Sequence, residues 1–109
     1  MKNKTYDKTI RNGKVAVLVS PDFGAGWSTW NANHPELLFD PEVVALVEAD
    51  RKDDIEEVMN ARYGKNVIHC SGTRALEVEW LPLGTEFRID EYDGSESIET
   101  KEESNGITA

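Results

Sequence analysis

Hydrophobic and polar positions change their spacing several times along the chain, and each change marks an element. Val15 to Val19 is an unbroken apolar run, which predicts a strand over Lys14–Ser20 covered on both faces. Asn12-Gly13 before it reads as a turn. Val43, Val44, Leu46 and Val47 form a helical stripe. Asp40 is placed to cap that helix, Pro41 suits its first position, and Glu42 complements its positive end. Ile55, Met59 and Tyr63 recur at every fourth position with Val58 beside them, which predicts a second helix from Asp53 or Asp54 to a stop at Gly64. Asn66–Cys70 reads as a short strand. Leu76, Val78 and Trp80 then alternate with Glu77 and Glu79, and Phe87 and Ile89 with Glu86, Arg88 and Asp90. Pro82-Leu83-Gly84 turns the chain between them. Asp93-Gly94 is a two-residue hairpin signal that lets Ser95–Glu99 return as another strand.

These elements add up to an α+β domain over residues 1–100. The expected architecture is a four- to five-stranded mixed sheet with a C-terminal antiparallel meander and two helices packed on one face. The opposite face, rich in acids, is expected to be wet. Residues 1–9 read as frayed and residues 101–109 as a polar, mobile tail.

The segment Ser20–Asp40 fits neither period. It holds two of the three tryptophans and two of the four prolines, with a third proline, Pro41, just after it. Loops of this length in small domains are usually either functional or disordered. Disorder is unexpected here, because Phe23, Trp27, Trp30, Leu37, Leu38 and Phe39 are costly to leave in water, so the segment should fold back on the body. Gly24, Ala25 and Gly26 would let a ligand approach backbone amides. Trp27 and Trp30 offer stacking faces, and Ser28, Thr29 and Asn31 add neutral hydrogen-bonding groups. The segment follows a buried strand, where ligands tend to bind in open α/β-type sheets. A second loop, Cys70–Arg74, supplies Ser71, Gly72, Thr73 and the Arg74 guanidinium, which can hold a phosphate or carboxylate. The alternative reading of the loop is plain core, with the tryptophans lidding the sheet.

Composition narrows the chemistry. The formal charge is −9. Residues 1–14 carry five basic residues against one acid, while residues 76–103 carry ten acids against Arg88 and Lys101. An acidic body argues against binding a nucleic-acid backbone. It permits docking to a basic partner, for which Glu77, Glu79, Glu86, Asp90 and Glu91 form the candidate face. Apolar runs are too short for a membrane span or a signal peptide. A single cysteine excludes an internal disulfide and fits a reducing cytoplasm.

Catalytic signatures are missing from the sequence. Gly24-Ala25-Gly26 lacks the third small residue of a dinucleotide fingerprint, and no Gly-Lys-Ser/Thr appears. Cys70 and Arg74 are too close together for a phosphatase loop. His69 and Cys70, adjacent on the expected strand, would point to opposite faces. Two histidines and one cysteine give no zinc spacing; His34 with Asp22 and Asp40 is the nearest approach to a metal-binding set. No cofactor and no metal is implied. Catalytic groups assembled from distant positions remain open.

"SPDFGAGWSTWN", "ELLFDPE" and "LEVEWLPLGTEFRIDEYDGSESI" resemble segments of small accessory proteins encoded by tailed bacteriophages, over about residues 14–98. The resemblance brings no biochemical activity. It implies an accessory protein acting in the cytoplasm of a bacterial host, where such proteins often counter host defence. Two functions fit. One is a binder that sequesters a small nucleotide-like ligand without chemistry, through Gly24–Asn31 and Arg74. The other is an acidic protein–protein inhibitor of a host defence or nucleic-acid-binding protein. An open sheet edge would also favour a homo-oligomer.

Overall fold

The apolar run after Asn12-Gly13 becomes the central strand of the molecule. The computed structural model describes residues 6–100 and 107–109. Asn12 and Gly13 both take positive φ (52° and 77°), the geometry of a tight two-residue hairpin. They join β1 (Ile10–Arg11) to β2 (Lys14–Val19). β2 also pairs antiparallel along its whole length with β3 (Glu77–Pro82), Val19 opposite Glu77 and Lys14 opposite Pro82. β4 (Glu86–Tyr92), β5 (Ser95–Glu99) and β6 (Ile107–Thr108) form a second antiparallel sheet in the order β5-β4-β6.

The protein is therefore α+β, with two three-stranded antiparallel sheets and two helices. The expected single mixed sheet with a β3-β4-β5 meander is corrected: β3 and β4 lie in different sheets. The reason lies at Pro82-Leu83-Gly84. The Leu83 N–H donates to Gly13 O at 2.8 Å and the Gly84 N–H to Ala109 O at 2.7 Å. The turn thus spends its backbone groups on the first hairpin and on the chain end, and β4 leaves for another layer.

Helix α1 (Pro41–Glu48) starts as its sequence predicts, with the Asp40 carboxylate accepting the N–H groups of Glu42 and Val43 at 3.0 and 3.1 Å. Helix α2 (Ile55–Tyr63) follows a 3-10 turn at Lys52–Asp54. Val43, Val44, Ile55 and Met59 pack on Ala16, Leu18 and Leu76, with Val78 and Trp80 alongside. The odd positions of β2, Val15, Val17 and Val19, pack the other way, on Leu38, Phe39, Phe87 and Ala109. The face of the first sheet that was expected to be wet is thus covered around β2 by the second sheet. β2 contributes to both hydrophobic clusters, as an apolar run on both faces requires.

Asn66–Cys70 is not a strand. Its ladder partner is a side chain: Asn31 Oδ1 accepts the His69 N–H at 2.7 Å and Asn31 Nδ2 donates to His69 O at 3.0 Å. The expected freedom of the last residues also fails where the structure describes them. Glu86 and Phe87 pair with Thr108 and Ile107, and Ala109 is buried. Residues 101–106 of that expected tail, and residues 1–5 of the frayed start, lie outside the described residues. Thr9 O accepts the Ala16 N–H, and the Tyr6 ring stacks on Phe39 at 6.2 Å. Among the described residues no helix is long and apolar enough to cross a membrane.

Removing Ile107–Ala109 uncovers Phe87 and frees Gly84 and Thr85 of their partners. The truncated chain should lose about 1–3 kcal/mol in urea denaturation, and an unchanged midpoint would show that β6 contributes nothing.

Candidate functional site

Backbone N–H groups turned inward by an irregular loop need acceptors. In Ser20–Asn31 three of them, those of Ser20, Trp27 and Thr29, are met by one side chain, Glu96 on β5. The residue is 2% exposed. Oε1 accepts the Ser20 N–H at 2.9 Å. Oε2 accepts the N–H groups of Trp27 (2.7 Å) and Thr29 (3.1 Å) and the Thr29 hydroxyl (2.6 Å). The Glu96 N–H in turn donates to Ser20 O at 2.8 Å. No cation forms a salt bridge with Glu96 among the described residues. Four donors take the place of solvent around the charge, and bonds to an ionised acceptor are the strong kind. A side chain on Gly26 would come within 2.8 Å of Oε2, so the loop can wrap the carboxylate only with glycine there.

This corrects the expectation that Trp27 and Thr29 present donors to a ligand. Those donors already hold an anion, and it belongs to the chain. Trp27 is fully buried in the helix-side core, with its indole N–H donating to Leu37 O at 3.0 Å, so it offers no stacking face. Asn31 is a clamp between Trp27 O and the His69 backbone. Trp30 is 38% exposed. Its ring packs edge-on against His69 at 4.9 Å and its N–H reaches Glu91 at 3.2 Å. Ser28 faces a small apolar hollow with Ala32, Pro35, Leu38 and Ile89.

Gly24, Ala25 and Arg74 do come together. They border an open depression of about 350 Å³ with Asp22, Phe23, Ser71, Gly72 and Ala75. Two contacts fix its floor. Ser20 Oγ is within hydrogen-bond reach of Ala25 O (2.9 Å) and Gly72 O (3.3 Å). A side chain on Gly72 would meet Ala25 O at 2.7 Å, so the two loops touch backbone to backbone. Arg74 is almost wholly exposed, and its nearest acid, Asp53, is 3.8 Å away. Phe23, expected to fold back on the body, is 68% exposed on the rim.

The other candidates separate. Glu77 and Glu79 lie on β3 and Glu86, Asp90 and Glu91 on β4, in different sheets. Within β4, Glu91 has the opposite parity to Glu86 and Asp90. Asp90 accepts from Arg88 at 2.9 Å, and Glu91 accepts from Trp30 and from the Gly94 N–H. The five acids are not one face. Asp40 is spent on capping α1 and pairing with Arg62. His34 sits by Glu36 at 3.4 Å and against the Tyr63 ring. The described residues hold no group of three His, Cys, Asp or Glu side chains able to bind a metal ion. Burial, aided by the charge of Glu56, pushes the Cys70 thiol up to about 11.

Sequence reasoning does not single out Glu96 as a partner of the loop. Its one signal is phase: in Ser95–Ile98 it alternates in step with Ile98, the inward phase. A scan against protein-family models, a search of curated proteins and a search of solved structures each find no match. The site is read from its geometry alone.

Glu96→Gln keeps the shape but turns an amide NH2 toward N–H donors. It should cost about 2–4 kcal/mol in chemical denaturation. A loss within a few tenths would show the loop to be held by its apolar contacts instead. For Cys70, alkylation by iodoacetamide at mildly alkaline pH should run about a hundredfold slower than for an ordinary thiol. Equal rates would mean the thiol is neither buried nor shifted.

Proposed function

We propose that the chain is a binding protein without chemistry, and that it takes a small nucleotide-like anion in the depression between Asp22–Ala25 and Ser71–Ala75. One observation carries this reading. Two loops about fifty residues apart are bolted together so that an exposed arginine, held only loosely by Asp53 at 3.8 Å, borders a concavity rimmed by an aromatic ring and glycine backbone. The volume lies at the small end of ligand pockets, which span roughly 300–1,000 Å³, so it suits a mononucleotide or a smaller molecule.

Roles follow from chemistry. Arg74 offers a planar fork to a phosphate. Phe23 offers a face to a base. Ser71 and the backbone at Gly24 and Gly72 supply neutral contacts, while Asp22 is an acceptor for ribose hydroxyls or an exocyclic amine. An acid on the same rim disfavours a highly charged polyphosphate, so the reading is a ligand with one or two negative charges. In an accessory protein of a tailed phage, which the sequence resembles, such binding would sequester a nucleotide signal of the host.

Neither Trp27 nor Trp30 borders the depression, so amide shifts report binding better than indole emission. Titration of the labelled protein with nucleoside monophosphates and cyclic nucleotides should move the amides of Gly24, Ala25, Ser71 and Gly72. Arg74→Ala should weaken binding about tenfold, the worth of a charge-assisted hydrogen bond. Silence of these amides across the panel at millimolar ligand would remove the proposal.

A further inference from the structure

Beside the depression, the structure displays two aromatic rings where hydrophobic burial would be expected. Phe23 is 68% and Tyr92 78% exposed. Their rings meet edge to face, 6.3 Å between centroids and 82° between planes. They come from different parts of the chain: Phe23 from the tip of the Ser20–Asn31 loop, Tyr92 from the last position of β4.

The mounting of the pair is rigid. The Gly24 N–H donates to Asp93 O at 2.7 Å. The Ser95 hydroxyl donates to Pro21 O. Glu91 accepts the Gly94 N–H at 2.6 Å and the Trp30 indole N–H at 3.2 Å, which ties the half-exposed Trp30 to the same turn. Asp93 and Gly94 take the positive φ angles (54° and 88°) of a tight hairpin. Both rings therefore stand on turns whose backbone is already fixed, and little conformational entropy is lost when they are covered. Rigid, exposed aromatic anchors are what the energetic centres of protein interfaces are made of.

Charge selects the occupant. Asp22, Glu91 and Asp93 flank the two rings along the chain and are exposed, in a chain whose net charge is −9. A second copy seated on this face would bring acids against acids, which costs free energy at an interface. A surface bearing arginine or lysine would meet complementary charge, and the exposed ring faces would accept those cations directly. We infer that the Phe23–Tyr92 pair, with its rim of Asp22, Glu91 and Asp93, is a docking surface for a protein segment that carries basic side chains. This inference does not rest on the small-ligand reading. Tyr92 and Asp93 do not border the depression, and Arg74 is not part of the aromatic pair.

The test uses the whole chain, immobilised, to select from a displayed library of random peptides, with the Phe23→Ala/Tyr92→Ala double variant as the counter-target. Enriched peptides should be rich in arginine or lysine. Their affinity should fall about tenfold or more in Tyr92→Ala alone and fall again between about 50 mM and about 500 mM salt. Arg74→Ala should leave it unchanged. Both rings are exposed, so the thermal midpoints of the variants should match the parent and certify their fold. Failure to enrich peptides over the double variant overturns the inference. So does binding that ignores salt, and so does self-association of the free protein that the double variant abolishes.

Discussion

A carboxylate that no cation among the described residues pairs with organises this protein. Glu96 stands on the second sheet and reaches into a loop that leaves the first, taking the N–H groups of Ser20, Trp27 and Thr29 and the Thr29 hydroxyl. The loop has almost no regular structure of its own, so its amides would otherwise be buried without partners, at a cost of about 1–3 kcal/mol each. One side chain answers several of them, and in doing so connects the two sheets. The arrangement resembles the way a loop cradles a bound anion, except that the anion is covalently part of the chain. The loop consequently has its shape before any ligand arrives.

The shape it takes separates two tryptophans that the sequence presents as equals. Trp27 goes inward with its N–H on Leu37 O, and Trp30 stays near the surface beside Glu91. That split decides which chemistry survives at the surface. Depression and aromatic pair both lie at the outer turn of the loop, around Asp22–Ala25, while the half nearer Asn31 is occupied with holding the fold. Phe23 belongs to both features, so a small ligand and a docked protein would compete for its ring. Arg74 on one side and Tyr92 on the other allow the two functions to be separated.

Elements governed by local chemistry were legible in the sequence. The cap at Asp40, the proline after it, both hairpin turns at Asn12-Gly13 and Asp93-Gly94, and the two-faced strand β2 each depend on residues close together in the chain. What could not be read depended on partners far away. Asn66–Cys70 has the composition of a strand, but Asn31 takes the place of another strand at His69, and Asn60 and Gly64 accept the N–H groups of Asn66 and Val67. β3 and β4 alternate like neighbours of one meander, yet Gly13 and Ala109 claim the backbone of the turn between them. At the site, Gly24, Ala25 and Arg74 were identifiable because glycine-rich backbone and a guanidinium are local signals. Glu96 lay hidden among ten acids in the same region, distinguished only by the side of the strand it occupies.

The placement of β2 carries one more consequence. Ala16 and Leu18 lie under the helices while three valines lie against the second sheet, so a six-residue strand is the partition between two oily compartments. Sliding its hydrogen-bond phase by one residue would force three branched side chains into the space cut for two and leave the opposite compartment underfilled. Mispairing is thus penalised on both sides at once. This explains how a domain whose outer strands β1 and β6 are two residues long can still settle on a single alignment.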